Sequence, residues 1–355
     1  MNQPLFLIAT GARTPLGLDS ANAAAAVRAA ISSCAEHPFM IDRVGEPMPA
    51  SMDPLLEPDL PCRDRMLAMA QAALLEACAP LAQQDRIHGL PMLLGLPEPR
   101  PGFGEADGHW LREQLLQKTA LPVALSHARA YMTGHGATLF LLDQARQEMA
   151  AGQYEACLVG GVESYFHPDT MDWLDQNRQL MGSVSRSGFV PGEGAGFGLL
   201  MTPAAAQRAG LHPIGLINGS GVEWEGNRIK TQDINLGEGL IRAVSTTMSA
   251  LRPPHDRVNA IYCDINGERY RGEEWGFVCL KLAHYFDDPT GYWSPADCWG
   301  DMGAATGGLL LVLATQAAQR GYAAGSRSLL WTGSEHGLRA AALLEADVMP
   351  SPYRR

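Results

Sequence analysis

The chain has 355 residues, 46% hydrophobic and 18% charged, with a formal net charge of −11. That balance fits an ordinary globular protein, either two similar-sized domains or one large α/β domain with an ample core, and only the tail Pro350–Arg355 is expected to lack order. An acidic chain without a Lys/Arg block also excludes nucleic acid and anionic membrane as partners. The cysteines, Cys34, Cys62, Cys78, Cys157, Cys263, Cys279 and Cys298, contain no C-x-x-C pair, which fits reduced thiols better than disulfides or a zinc knuckle. The start, MNQPLFLIATGARTP, lacks the basic and long apolar regions of a secretion signal, and the longest apolar run, Leu309–Ala314, is too short to cross a bilayer. The expected compartment is the cytoplasm.

Leu5–Thr10, closed by Gly11 and Pro15, reads as a buried strand and its turn, with Ser20 capping an alanine-rich helix from Ala21 to about Ser33. Glu36–Pro61 reads as loop. Arg63-Asp64-Arg65 opens a helix through Cys78 with Met66, Met69, Ala73 and Leu74 on one face. Leu90–Leu96 is a buried strand and Pro97–Gly108 a surface loop. The stretch Ala128–Ser164 organises the chain: a small-residue turn Thr133-Gly134-His135-Gly136, a helix from Ala137 to about Ala151 carrying Leu139, Leu142, Ala145 and Met149, a stop at Gly152, and a strand ending at Gly160-Gly161. Glycines at such a turn let a ligand approach backbone N–H groups at a helix N-terminus.

Beyond a polar loop, SRSGFVPGEGAGFGLLM (Ser185–Met201) reads as a glycine turn feeding a strand; its spacing is not that of a phosphate loop. Ala204–Ala209 is a short helix. A second half then starts at Leu216–Gly221, with a helix near Gly237–Leu251, a strand at Val258–Asp264 and a helix around Glu273–His284. The turn Asp301-Met302-Gly303 leads to a long apolar helix, Ala304–Gln319, then a strand at Leu329–Thr332 and the turn Gly333-Ser334-Glu335-His336. Strand, glycine turn and helix recur in both halves, which means βαβ units and parallel pairing.

At these residues the chain resembles the β-ketoacyl synthases of the thiolase superfamily. The matching segments are IATGARTPLG, Asp64-Arg65 with its helix, AAGQYEACLVGGVES and, above all, SGFVPGEGAGFGLLM, which resembles the family's DGFV.GEGAG segment; GDMGAATGG and WTGSEHG are weaker echoes. The resemblance implies an α/β fold, a thiolase-like αβαβα sandwich of two duplicated halves with mixed, mainly parallel sheets, divided here as 1–209 and 210–355. It implies a dimer paired through the Ala128–Gly161 segment, acyl carrier protein or CoA thioesters as partners, and no cofactor.

A ketosynthase of this family uses a cysteine at the helix start, which carries the acyl thioester, and two histidines that stabilise the enolate left by malonyl decarboxylation. By this resemblance the cysteine falls on His135 and the histidines on Asp264 and Asp301. His336 is the other candidate imidazole, and Gly134, Gly136, Phe189, Gly333 and Ser334 are the expected substrate contacts. Two carboxylates would repel a malonyl carboxylate, and if both faced one pocket one should be raised in pKa. One histidine with two aspartates could also ligate a divalent metal, although the family uses none and no metal is expected. Glu193 is expected to bond backbone across the halves, and the run Glu268, Arg269, Arg271, Glu273, Glu274 to form a solvated face. Trp224, Trp275, Trp299 and Met302 are either core or the lining of an acyl channel.

The leading function is therefore a non-condensing, chain-length-factor-like partner of an active ketosynthase in fatty-acid or polyketide-type metabolism, as heterodimer or homodimer. The alternatives are an acyl-thioester hydrolase or acyltransferase using His135 with Asp264 or Asp301, and an acyl-binding module without turnover.

Overall fold

Runs of apolar residues punctuated by glycine become strands and turns in the computed structural model of the chain, which describes residues 4–84, 87, 89–182, 185–228 and 234–347. The tail expected to lack order lies outside the described residues. The first half contains β1 (Leu5–Arg13), α1 (Ser20–Arg28), β2 (Ala35–Ile41), β3 (Pro47–Ala50), α2 (Cys62–Cys78), β4 (Leu90–Leu96), α3 (Glu105–Lys118) and β5 (Leu125–Met132). It continues with α4 (Ala137–Ala150), β6 (Ala156–Ser164), α5 (Pro168–Gln176), β7 (Glu193–Met201) and α6 (Pro203–Ala209). The second half contains β8 (Gly215–Trp224), α7 (Glu238–Thr247), β9 (Ala260–Cys263), α8 (Arg269–Leu282), β10 (Tyr292–Trp293), α9 (Ala296–Trp299), α10 (Thr306–Gln319), β11 (Arg327–Gly333) and β12 (Leu338–Glu345).

All strands but β2 and β3 join one sheet in the order β10-β9-β11-β12-β8-β1-β7-β6-β4-β5. Its two wings are parallel and its middle, from β11 across to β6, is antiparallel. Read outward-in, each half presents its third, second, fourth, fifth and first strand, so one topology is repeated and the repeats meet where Leu5–Leu7 pairs with Gly215–Ile217. Helices α4 and α10 pack between the two halves and share one core with β1, β6, β11 and β12. Helix α10 is apolar on nearly every side because it is covered on every side. Helices α2 and α3 cover the outer face of the first half, and α7 and α8 that of the second. This is the αβαβα layering of a thiolase-like sandwich.

Several expectations need correction. Asp19, not Ser20, caps α1: its Oδ1 accepts the Asn22 N–H at 2.8 Å, and the helix ends at Arg28 rather than Ser33. Residues 36–61 are not all loop, since β2 and β3 form a separate two-stranded sheet that tolerates Pro38 and Pro49 because no central ladder crosses it. The loop at Pro97 ends at Gly104, where α3 begins, capped by Asp107 on the Gly104 N–H at 3.0 Å. Gly108 inside α3 disguises it, and is there because a Cβ would meet Met132 Sδ at 3.1 Å. The polar segment after β6 holds α5, and β12 follows the last glycine turn. The glycines of GEGAG form no turn: Gly192 bridges to Ser51 just before β7, and Gly194 and Gly196 lie within it, where a Cβ at Gly196 would come within 2.7 Å of the α10 backbone.

Candidate functional site

Gly134 adopts φ +65°, opening a single 3₁₀ turn at 134–136 that runs into α4. The turn is tied to the other half of the molecule. Ser334 Oγ accepts the Gly136 N–H at 2.8 Å and donates to the Thr133 carbonyl at 2.5 Å. A Cβ at position 136 would meet Ser334 Oγ at 3.0 Å, so the close approach of the two turns favours glycine there.

The imidazole of His135 is buried and points at Asp301, its Nε2 lying 2.8 and 2.9 Å from the two carboxylate oxygens. Asp301 also accepts from the Tyr165 hydroxyl at 2.8 Å, the Gly303 N–H at 2.8 Å and the Asn266 amide. Asp264 does not reach His135 directly. Its Oδ2 takes Arg271 Nη1 at 2.6 Å and the Gly333 N–H at 2.7 Å, while its Oδ1, although buried, has no partner. Arg271 is the link: it also donates to the Gly333 carbonyl at 2.7 Å and to Glu268 at 3.2 Å, and its Nη2 lies 3.3 Å from His135 Nε2.

Burial and the Arg271 charge both pull the His135 pKa down, but the Asp301 carboxylate outweighs them and the imidazole is raised above its ordinary 6.5. Burial alone would raise Asp301; His135 and Arg271 reverse this and hold it well below the carboxylate range. Because ionised Asp301 only accepts, the Nε2 proton belongs to the His135–Asp301 bond, and Arg271 stands beside it as a charge rather than as a donor. Asp264 is raised, as the reasoning on paired carboxylates anticipates, but burial is the main cause and Asp301 the smallest of those acting.

Above this layer lies a cavity of about 500 Å³, lined among others by His135, Gly134, Tyr165, Phe189, Trp173 and His336. His135, Gly134, Phe189 and His336 thus share the cavity. Asp301 and Asp264 lie beneath it, and Gly136, Gly333 and Ser334 lie outside its lining, holding the turns together. His336 is 62% exposed at the rim, 3.0 Å from Glu98. Among the described residues no group of three His, Cys, Asp or Glu side chains is placed to hold a metal ion. Among the described residues no cysteine lines the cavity; burial pushes the Cys62 and Cys78 thiols up to about 12 and Cys157 and Cys263 higher still.

The supposedly solvated run is half buried. Glu268, Arg271 and Glu274 recur every three residues and face inward, whereas Arg269 and Glu273 pair in solvent. That spacing was the signal for Arg271. Tyr165, Asn266 and the Arg100–Glu163 pair at 2.6 Å had no comparable pattern. Glu193 is structural, but within one half: it takes Arg65 at 2.6 and 2.8 Å, the Ser164 hydroxyl at 2.9 Å and the Asp53 N–H at 2.7 Å. Trp275, Trp299 and Met302 are core, and Trp224 is 58% exposed.

Residues 131–206 match the family model described as Beta-ketoacyl synthase, N-terminal domain. The chain is 34% identical over 97 residues to Polyketide synthase PksL of Bacillus subtilis (strain 168), covering 25% of this chain and 2% of that protein. It is 32% identical over 145 residues to Hybrid PKS-NRPs synthetase opdA of Penicillium oxalicum, covering 38% of this chain and 4% of that protein. Solved structures share the fold at low identity. The ketosynthase from module 6 of the Bacillus subtilis 168 bacillaene synthase superposes with a TM-score of 0.77 at 13% identity, covering 97% of this chain and 72% of that one. The ishigamide ketosynthase/chain length factor superposes with a TM-score of 0.79 at 14% identity, covering 98% and 100%. The sequence match thus runs from the end of β5 into α6, the chain spans only a few per cent of the length of the curated relatives it matches, and its fold is shared with ketosynthases along nearly the whole chain.

Proposed function

We propose that the chain is a non-condensing, chain-length-factor-like partner of an active β-ketoacyl synthase in fatty-acid or polyketide-type metabolism. The observation that carries this reading is the His135–Asp301 pair. Where the family resemblance places a thiolate nucleophile and an imidazole that must donate to a thioester carbonyl, this chain has an imidazole bonded to a buried carboxylate. An imidazolium held this way is no nucleophile, and an ionised aspartate cannot donate a hydrogen bond to an enolate. A second carboxylate, Asp264, lies behind it bonded to Arg271, and it too has no proton to offer an enolate when ionised.

The partner's seat is the edge of the sheet. Among the described residues strand β5 has a neighbour on one side only and bears half-exposed side chains along most of its length, so a second subunit can extend the ladder there. Among structures of this fold, one is a ketosynthase/chain length factor, and another, AntDE:AntF, holds a type II PKS acyl-carrier protein in complex with its ketosynthase. Their pairings support the same for this chain: a heterodimer with a cysteine-bearing ketosynthase, serving acyl carrier protein or CoA thioesters, with the cavity over His135 as the acyl-facing surface.

Native mass spectrometry of the chain co-expressed with a condensing ketosynthase from its own genome tests this, together with a condensation assay on acyl and malonyl carrier-protein thioesters. A stable one-to-one complex, active only with the partner's cysteine intact, is expected. Condensation by this chain alone overturns the proposal. Thioester hydrolysis by the chain alone, abolished in His135→Ala with folding retained, would establish the hydrolase reading, in which Asp301 orients His135 as a base.

A further inference from the structure

At the rim of the cavity stands a carboxylate that belongs to none of the ion pairs beneath it. Glu98 follows β4, and its Oε1 accepts the backbone N–H of His336 at 3.2 Å while standing 3.0 Å from His336 Nδ1. The same side chain presses on the turn at 134–136: a Cβ at Gly134 would lie 2.9 Å from Glu98 Cγ. Glu98 is itself mostly covered, with 15% of its side chain exposed. The Glu98 side chain from the first half therefore lies between two glycine turns, its stem against the 134–136 turn that carries His135 and its carboxylate on His336 of the other half.

A backbone N–H in a glycine turn beside an imidazole is a donor set for a carboxylate or an acyl carbonyl. A carboxylate of the chain's own, fixed in bonding distance, competes for that set at a very high effective concentration. It also adds negative charge to a cavity whose lining holds Glu335, Arg228 and the Arg100–Glu163 pair. We propose that Glu98 is a resident anion occupying a carboxylate-binding position made by the His336 N–H and imidazole, and that the cavity takes a short aliphatic carboxylate, its chain against Tyr165 and Phe189, once Glu98 is removed. The inference draws on the proposed function only in treating this cavity as the acyl-facing one. Its test needs no partner subunit, so failure to form a heterodimer and failure here are separate results.

The experiment is a calorimetric titration of the full chain with butyrate, and with butyramide as the uncharged control, for wild type, Glu98→Ala and Glu98→Gln, each checked for folding by thermal melting. Glu98→Ala should bind butyrate about ten-fold or more tighter than wild type, the scale of one charge-assisted hydrogen bond plus relief of one like charge. Glu98→Gln keeps an oxygen for the His336 N–H but not the charge, so its gain should be smaller than that of Glu98→Ala. If the alanine variant does not fold, a gain in Glu98→Gln carries the test. Butyrate affinities within about two-fold of wild type in every folded variant overturn the proposal, since a lost hydrogen bond to a charge is worth more than that. Equal gains for butyrate and butyramide overturn it too, because they would reflect added space alone.

Discussion

Arg271 is the side chain whose loss the site should tolerate least. It is buried, and it joins Asp264 at 2.6 Å, Glu268 at 3.2 Å and the Gly333 carbonyl at 2.7 Å. In Arg271→Met the apolar stem keeps most of the packing, but Asp264 retains only the Gly333 N–H, its Oδ1 already lacking a partner. Removing one member of a buried ion pair costs about 3–5 kcal/mol, because the remaining charge is left desolvated. Adding Asp264→Asn removes that stranded charge while an amide oxygen still accepts the Gly333 N–H, so the double variant should recover more than half of the loss. The pH dependence has a definite sign. Burial already places the folded Asp264 pKa above its unfolded 3.8, and loss of Arg271 raises it further. Such a group destabilises the folded state when ionised, so the deficit of Arg271→Met should shrink as pH falls through the folded pKa toward 3.8. Urea unfolding followed by tryptophan fluorescence, near neutral pH and again in mild acid, measures all of this. The reasoning is refuted if Arg271→Met costs less than about 1 kcal/mol, the level of an exposed pair, or if the double variant is no more stable than the single.

The His135–Asp301 pair should limit stability on both sides of neutrality. His135 is raised above 6.5, so its stabilisation is complete below 6.5 and is lost as pH rises through the folded value. Asp301 is held below 3.8, so its contribution is complete above 3.8 and is lost as pH falls below that toward the folded value. Thermal melting across about pH 3–9 should show the alkaline decline in wild type and a flatter profile in His135→Gln; identical profiles would mean that the pair is not ionised. Gly161→Ala tests the packing of the two halves: its Cβ would be driven into the Ala304 carbonyl in the turn just before α10. A loss of about 1–3 kcal/mol or failure to fold is expected, and an unchanged unfolding midpoint would contradict the close approach.

What could be read along the chain is what neighbouring residues encode. The helix at α4 and its glycine stop, the buried strands β4 and β6, and the repeated strand–turn–helix rhythm all come from periodicity within about a dozen residues. They were enough, with the GEGAG segment, to reach the thiolase-like fold, and to single out His135 as the residue at the helix start. Where local signals were muted by a glycine placed for packing, as in α3 and β7, the element or its start was missed, because contact with a distant backbone had selected that residue. The site itself was decided by tertiary structure. His135 and Asp301 stand 166 residues apart, and Arg271 is 136 from His135; no local pattern records that α8 would turn one face inward and insert an arginine between two aspartates. Burying charges is favourable only when opposite charges meet at hydrogen-bonding distance, and that condition is met only where the turns of the two duplicated halves come together over one shared core.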